Sequence, residues 1–292
     1  MLWLLLACSP HKAPHSGADS VVDSAGNTPT FLYVSSYFSG VVHRYNAETG
    51  EAQPPIEGVA GAQTVVWREG RLALVAEQAN AVLWADPGSG ALTGALIADD
   101  PGTELDETGG LDGPTAAIPG PDGLWYVASF NTDAVLRYDA NGAFVDVFVP
   151  SGTDGLDGPD IGMTFDRQGQ LLVPGYDSNA VHVFGPDGAP RAPLMTQADG
   201  LLRPRGVAVG DDGRVWVASR GSGAVLVRGT DGVLSTLRVA TRPAGLTLHD
   251  GELLVSSEAD NRVRAYDPDT GDELGVRVDD AAIDGVTSVA VW

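Results

Sequence analysis

From residue 31 to the carboxyl end, apolar and polar positions alternate with a period of two in short runs, broken by "DG", "NG" and "DPDTG". That period with that turn chemistry predicts strands joined by tight hairpins and almost no helix. The runs also repeat. "GLWYVASFNTDAVLRYDANG" (123–142), "GRVWVASRGSGAVLVRGTDG" (213–232) and "GELLVSSEADNRVRAYDPDTG" (251–271) are variants of one phrase. Three further copies, "FLYVSSYFSGVVHRYNAETG", "GRLALVAEQANAVLWADPGSG" and "GQLLVPGYDSNAVHVFGPDG", make six. The turn glycines Gly70, Gly123, Gly169, Gly213 and Gly251 fall roughly 40–50 residues apart, the spacing of propeller blades or solenoid coils.

Each copy accommodates four strands; in the third they are predicted over 115–119, 124–130, 134–139 and 143–150. Fourth-strand regions elsewhere carry Pro54, Pro55, Pro190 and Pro193, and proline is tolerated where no ladder hydrogen bond is lost, so strand four is the outer edge. The pattern begins at Phe31 on a second strand with no first strand before it. It ends on "VTSVAVW", 286–292, which aligns with the inner-strand phrase "PRGVAVG" of 204–210. Pairing 286–292 with 31–36 closes a ring and removes the open edge, whereas a linear solenoid would need polar caps at both ends. The expected architecture is therefore all-β: a closed six-bladed β-propeller of four-stranded antiparallel blades over 30–292.

Composition agrees, with 38 Gly and 19 Pro for many tight turns and 43% hydrophobic residues for a real core. A formal net charge of −22 argues against a nucleic-acid partner and is otherwise what solubility requires. At the amino end, "MLWLLLACSP" places a short apolar run before Cys8, the sole cysteine. This resembles a bacterial lipoprotein signal, which implies that residues 1–8 carry the signal and lipobox, with cleavage before Cys8 and lipid on its sulfur. The resemblance implies a cell-envelope location, periplasmic or extracellular, with membrane contact through the lipid anchor alone. An incidental cysteine at a frayed terminus is the alternative. Residues 9–29, rich in Pro, Ser, Gly and Ala, read as a flexible tether.

The segments "GLDGPTAAIPGPDGLWYVASFNTDAVLRYD" (110–139) and "GLDGPDIGMTFDRQGQLLVPGYDSNAVHVFG" (155–185) resemble the blades of NHL-repeat and related six-bladed propellers. That resemblance speaks to fold and little to activity, because one scaffold hosts enzymes, binders and plain spacers.

In such a ring the loops joining strand four to the next strand one, and strand two to strand three, open on one face around the channel. One loop there, "ADDPGTELDETGGLDGP", is long and acidic, holding Asp106 and Asp112; a second holds Asp154 and Asp157. Calcium takes several oxygen ligands from flexible loops, so Asp106, Asp112 and Asp157 are candidate ligands; a solvated acidic loop is the alternative. "LLRPRG" and "TRPAG" bring Arg203, Arg205 and Arg242 to the same mouth, to grip an anionic group or to tie blades together through Asp157 and Asp160. Tyr37, Phe38, Phe130, Asn131 and Tyr176, in the strand-two-to-three loops, suit peptide or sugar contact.

Gluconolactonase and senescence-marker propellers, which the chain resembles in fold, hold a divalent metal on channel carboxylates. The aligned positions here are Thr287, Gln63, Thr115, Ile161, Arg205 and Ala244, with Asp160 entering only if the fourth blade shifts by one residue. "AEQANAV" (76–82) and "SEADNRV" (257–263) resemble phrases of streptogramin lyases, whose chemistry needs a channel histidine. His43 and His182 instead occupy the strand-three position of Leu83, Leu136 and Leu226 and read as packing residues, so Glu77 and Glu258 lose the catalytic role that resemblance implies. No G-x-S-x-G, P-loop or H-E-x-x-H occurs. The expected function is an envelope-tethered, monomeric, non-enzymatic propeller binding a protein, peptide or carbohydrate on its channel face. A calcium-dependent hydrolase or lyase is the alternative.

Overall fold

A computed structural model describes residues 30–99, 106–237, 239 and 242–292. These form six four-stranded antiparallel sheets arranged as blades around an axis. Blade 1 runs, from the axis outward, Val286–Val291, Phe31–Ser36, Val41–Asn46 and Ala52–Glu57. The last strand of the chain thus pairs with the first, with Val34 opposite Val289 and Leu32 opposite Val291. Phe31 and Trp292 exchange backbone hydrogen bonds of 2.8 and 3.0 Å. The expected closure is what the structure contains, and it removes the edge an unpaired strand would offer.

The other blades begin with inner strands Ala62–Arg68 (blade 2), Pro114–Pro119 (blade 3), Thr164–Phe165 (blade 4), Pro204–Val209 (blade 5) and Pro243–His249 (blade 6). The proline-bearing strands Ala52–Glu57 and Pro190–Met195 are outermost, where a missing N–H costs no ladder bond. Because strand side chains alternate faces, each sheet buries both faces of its middle strands, one against each neighbouring blade. Six apolar clusters result, one in each seam. In the seam between blades 2 and 3, Trp84 and Trp125 meet edge to face at 5.8 Å. In the closing seam, Val286 and Val289 pack with Leu32 and Val263, so ring closure is held by side chains as well as by backbone.

One backbone device recurs six times and builds the mouth. The residue just before each of Ala62, Pro114, Pro159, Pro204, Pro243 and Val286, where the inner segments begin, is left-handed: Gly61, Gly113, Gly158 and Gly285 at φ between +63° and +71°, and Arg203 and Arg242 at +48° and +58°. Its carbonyl accepts the backbone N–H of the residue that follows strand two. Those residues are Tyr37, Glu77, Phe130, Tyr176, Arg220 and Glu258, and the device sets them in a circle around the channel. At four seams a second bond is added: the side-chain oxygens of Asn80, Asp133, Asn179 and Asn261 accept the backbone N–H of Gly113, Gly158, Arg203 and Gly285 of the next blade.

Candidate functional site

The inner strand of blade 4 departs from the other five. Pro159 bridges Gly175 as Pro204 bridges Ser219, and Phe165 faces Leu171 as Val209 faces Val215, so blade 4 holds one residue more between equivalent points. The surplus is a bulge at Asp160 and Ile161, where the Ile161 N–H turns back to Asp160 Oδ1 at 2.7 Å. Its effect is to place Asp160, not Ile161 alone, at the channel position that Arg205 fills in blade 5. Counted from Pro159, Asp160 is equivalent to Arg205; beyond the bulge Gly162 packs on Gly206 as Gly206 packs on Gly245, so Ile161 is equivalent as well, and the direct alignment and the one-residue shift each describe one side of the bulge.

Asp160 is buried, and Arg205 grips it with two prongs, Nε donating to Oδ2 at 2.8 Å and Nη2 to Oδ1 at 3.1 Å. The third prong, Nη1, donates to Glu258 Oε1. Burial alone would lower the Arg205 guanidinium, but Asp160 and Glu258 outweigh it and hold the charge firmly on. Glu258 Oε2 also accepts from Arg220 Nε at 2.6 Å and lies 3.3 Å from Arg242 Nη2. Arg220 Nη1 donates to the Tyr176 hydroxyl at 2.9 Å, and the Arg203 guanidinium stands 5.5 Å from the centre of the Tyr176 ring. Arg203 has no carboxylate partner among the described residues, and the Arg242 side chain is 53% exposed. In this sector, spanning blades 4 to 6, Arg205, Arg220 and Arg242 therefore share the carboxylates of Asp160 and Glu258, and Arg203 stands beside them without one. Within this network the guanidinium groups outnumber the carboxylates, while the surrounding loops add Asp157, Asp177 and Asp199.

Across the mouth, Glu77 accepts from the Tyr37 hydroxyl at 3.1 Å and from the Gln63 amide. Burial pushes its carboxyl above the usual range, against the two hydrogen bonds, which pull it down. Tyr37 is itself raised, chiefly by burial. Phe130 completes the aromatic part of the circle, its ring 6.2 Å from that of Tyr176.

The structure thus brings Asp160, Arg203, Arg205, Arg242 and Tyr176 into one network and places Tyr37 opposite them. Asn131 is spent on a neighbour, its Nδ2 donating to Asp112 Oδ1 at 3.0 Å. Asp157 does not meet the arginines; burial raises its carboxyl, and the nearby charges of Asp133 and Asp177 add to the effect. Asp106 accepts the Thr108 hydroxyl and N–H at 2.7 and 2.9 Å, and the hydroxyl bond foremost holds it below the usual carboxylate range. Among the described residues no group of three His, Cys, Asp or Glu side chains converges as a metal site, and Asp106, Asp112 and Asp157 are not brought into one. Cys8 lies outside the described residues. Arg220 and Gln63 join the site although pattern alone did not select them as ligand contacts. The usable signal was the residue after strand two of each repeat, which reads Tyr, Glu, Phe, Tyr, Arg, Glu around the ring.

No protein-family profile matches the chain, and no curated protein matches it by sequence. Solved structures do match in shape. A chain of the nidogen/laminin complex superposes with a TM-score of 0.75 at 15% identity, over 90% of this chain and 98% of that one. A streptogramin B lyase superposes with a TM-score of 0.63 at 14% identity, over 89% and 82%. A catalytically inactive virginiamycin B lyase from Staphylococcus aureus, with quinupristin, gives 0.64 at 14% identity, over 93% and 90%. The likeness is one of fold. The chain is a six-bladed β-propeller, and its neighbours of that fold include both partner-binding and lyase proteins.

Proposed function

We propose that this propeller is a binding module that receives a protein or peptide partner on the blade 4 to 6 sector of its mouth, with an acidic group of the partner seated among Arg203, Arg220 and Arg242. The observation that carries this is a network of four arginines with only two carboxylates, Arg203 pairing with neither and both Arg203 and Arg242 exposed. Guanidinium forks recognise carboxylates with two parallel hydrogen bonds, and Tyr176 and Phe130 supply apolar area beside them. The presence of a chain from the nidogen/laminin complex among the structural neighbours is consistent with partner binding on this fold. Lipidation at Cys8 would hold the module at the cell envelope; globomycin-sensitive processing and loss of membrane association in Cys8→Ser test that part.

The test of the binding reading is a peptide array in which acidic side chains and the terminal carboxylate are varied, probed with wild-type protein and with Arg203→Gly/Arg242→Gly. Acidic peptides are expected to bind, with at least about tenfold loss in the double variant and a strong dependence on salt. Binding that is indifferent to both substitutions, or that favours basic peptides, overturns the proposal.

A further inference from the structure

His182 occupies the strand-three position that leucine fills in three other blades, yet its ring does more than pack. Nε2 lies 2.9 Å from Ser178 Oγ, and Nδ1 lies 3.3 Å from Asp154 Oδ2. The ring is 5% exposed and stacked on Phe184 at 6.3 Å, which fixes its plane. Hydroxyl on one nitrogen and carboxylate on the other is the order of a nucleophile, a base and the group that orients the base.

The equivalent hydroxyls elsewhere show what is special here. Ser39, Thr132 and Ser222 occupy the same turn position and each reaches the hydroxyl of a strand-two serine, Ser36, Ser129 or Ser219, at 2.6 Å. In blade 4 that serine is Gly175. A Cβ on Gly175 would lie 2.0 Å from Ser178 Oγ, so the missing side chain is what leaves Ser178 room to turn toward His182. Asp154, left-handed at φ +55°, comes from the loop joining blades 3 and 4. All three residues line a cavity of about 330 Å³ shared with Pro193, Thr196 and Gln197. The Gln197 amide is a donor of the kind a developing oxyanion requires.

We propose that Ser178, His182 and Asp154 form a serine-nucleophile site for acyl transfer from small esters, independent of the arginine sector. In the step, Ser178 Oγ bonds to the ester carbonyl carbon while its proton passes to His182 Nε2. The C–O bond to the leaving alcohol then breaks, with that proton returned to the alcohol oxygen. Water, deprotonated by His182, attacks the acyl-serine and releases the carboxylic acid. Ser178 and His182 are the catalytic residues, and Asp154 is a positioning residue that holds the imidazole tautomer. Burial keeps His182 below the usual histidine range against the opposing pull of Asp154, so the ring is a neutral acceptor at neutral pH.

The test is a fluorophosphonate probe on the full chain, with adducts located by peptide mass mapping, and hydrolysis of p-nitrophenyl acetate alongside. Labelling is expected at Ser178 and not at Ser39, whose hydroxyl bonds Ser36 and leaves His43 Nε2 unused, or at Ser222, where Leu226 stands in place of the histidine. Ser178→Ala removes label and hydrolysis. His182→Leu, which restores the residue type other blades use, should keep the fold by circular dichroism and cut the labelling rate by about 10²–10⁴-fold. Asp154→Ala should lower it and Asp154→Glu recover part, a rescue that a packing role would not give. No adduct at Ser178, equal adducts on Ser39 and Ser222, or an unchanged rate in folded His182→Leu overturns the proposal.

Discussion

Arg205 and Asp160 form a two-pronged ion pair across the seam of blades 4 and 5, the carboxylate side chain only 3% exposed. A buried charge is tolerated when paired and costly when abandoned. Asp160→Asn is therefore expected to destabilise the protein by about 3 kcal/mol in urea unfolding, and Arg205→Met to cost a comparable amount by stranding Asp160. The double variant Asp160→Leu/Arg205→Met should cost clearly less than the sum of the single changes.

The two exposed arginines of the mouth sit in a backbone conformation that four other blades give to glycine. Left-handed backbone costs a residue with a Cβ about 1–2 kcal/mol, while glycine loses roughly 0.4–1 kcal/mol through its freer unfolded chain. These nearly cancel. Arg203→Gly and Arg242→Gly are each expected to leave unfolding stability within about 1 kcal/mol of wild type, yet to weaken binding of acidic peptides. Strain retained at a mouth without a folding advantage is what a ligand-contacting role explains.

His43 is buried with Nε2 lacking a hydrogen-bond partner among the described residues, at the strand-three position where blades 2, 3 and 5 place leucine. His43→Leu is expected to raise stability by about 1 kcal/mol, read as a higher Tm.

Burial lowers both His43 and His182 from 6.5. Between 6.5 and their folded values the unfolded chain binds more protons, so stability rises with pH there and falls as the solution is acidified from about 6.5. Denaturant midpoints from pH 7.5 to 5 should show this decline, and His43→Leu should make it shallower.

Ring closure rests on the final strand. Deleting residues 286–292 removes five buried residues, Val286 to Ala290, and exposes the Phe31–Ser36 edge. Loss of a cooperative unfolding transition is the expected result. A circular permutant joining Trp292 to Phe31 and opened at the exposed 186–187 turn should instead keep one, because the two ends already touch.

The fold was legible because period-two runs and left-handed turn glycines repeat six times, and because Phe31 and Val286–Trp292 are each half of a blade. The third blade's strands fell within one residue of expectation, Trp125–Ser129 and Phe144–Val149 being slightly shorter than the pattern. The mouth was legible only in part. Arg205 and Arg242 could be placed by aligning inner strands, but the bulge at Asp160 is a backbone event that side-chain pattern does not announce. Glu258 and Glu77 were visible as residues and invisible as partners, since each is defined by a hydrogen bond to a different blade. Ser178 and His182 share a hairpin, but Asp154 arrives from a separate loop, and the only local sign was glycine at 175 where serine stands in blades 1, 3 and 5.

Each inner strand leaves the mouth and runs away from it, so Trp292 and its partner Phe31 lie at the rim of the reverse side. Any leash preceding Thr30 departs from there. A propeller tied down by that leash would turn its back to the surface holding it and present the arginine sector outward, like a dish on a stalk, to molecules approaching from the medium.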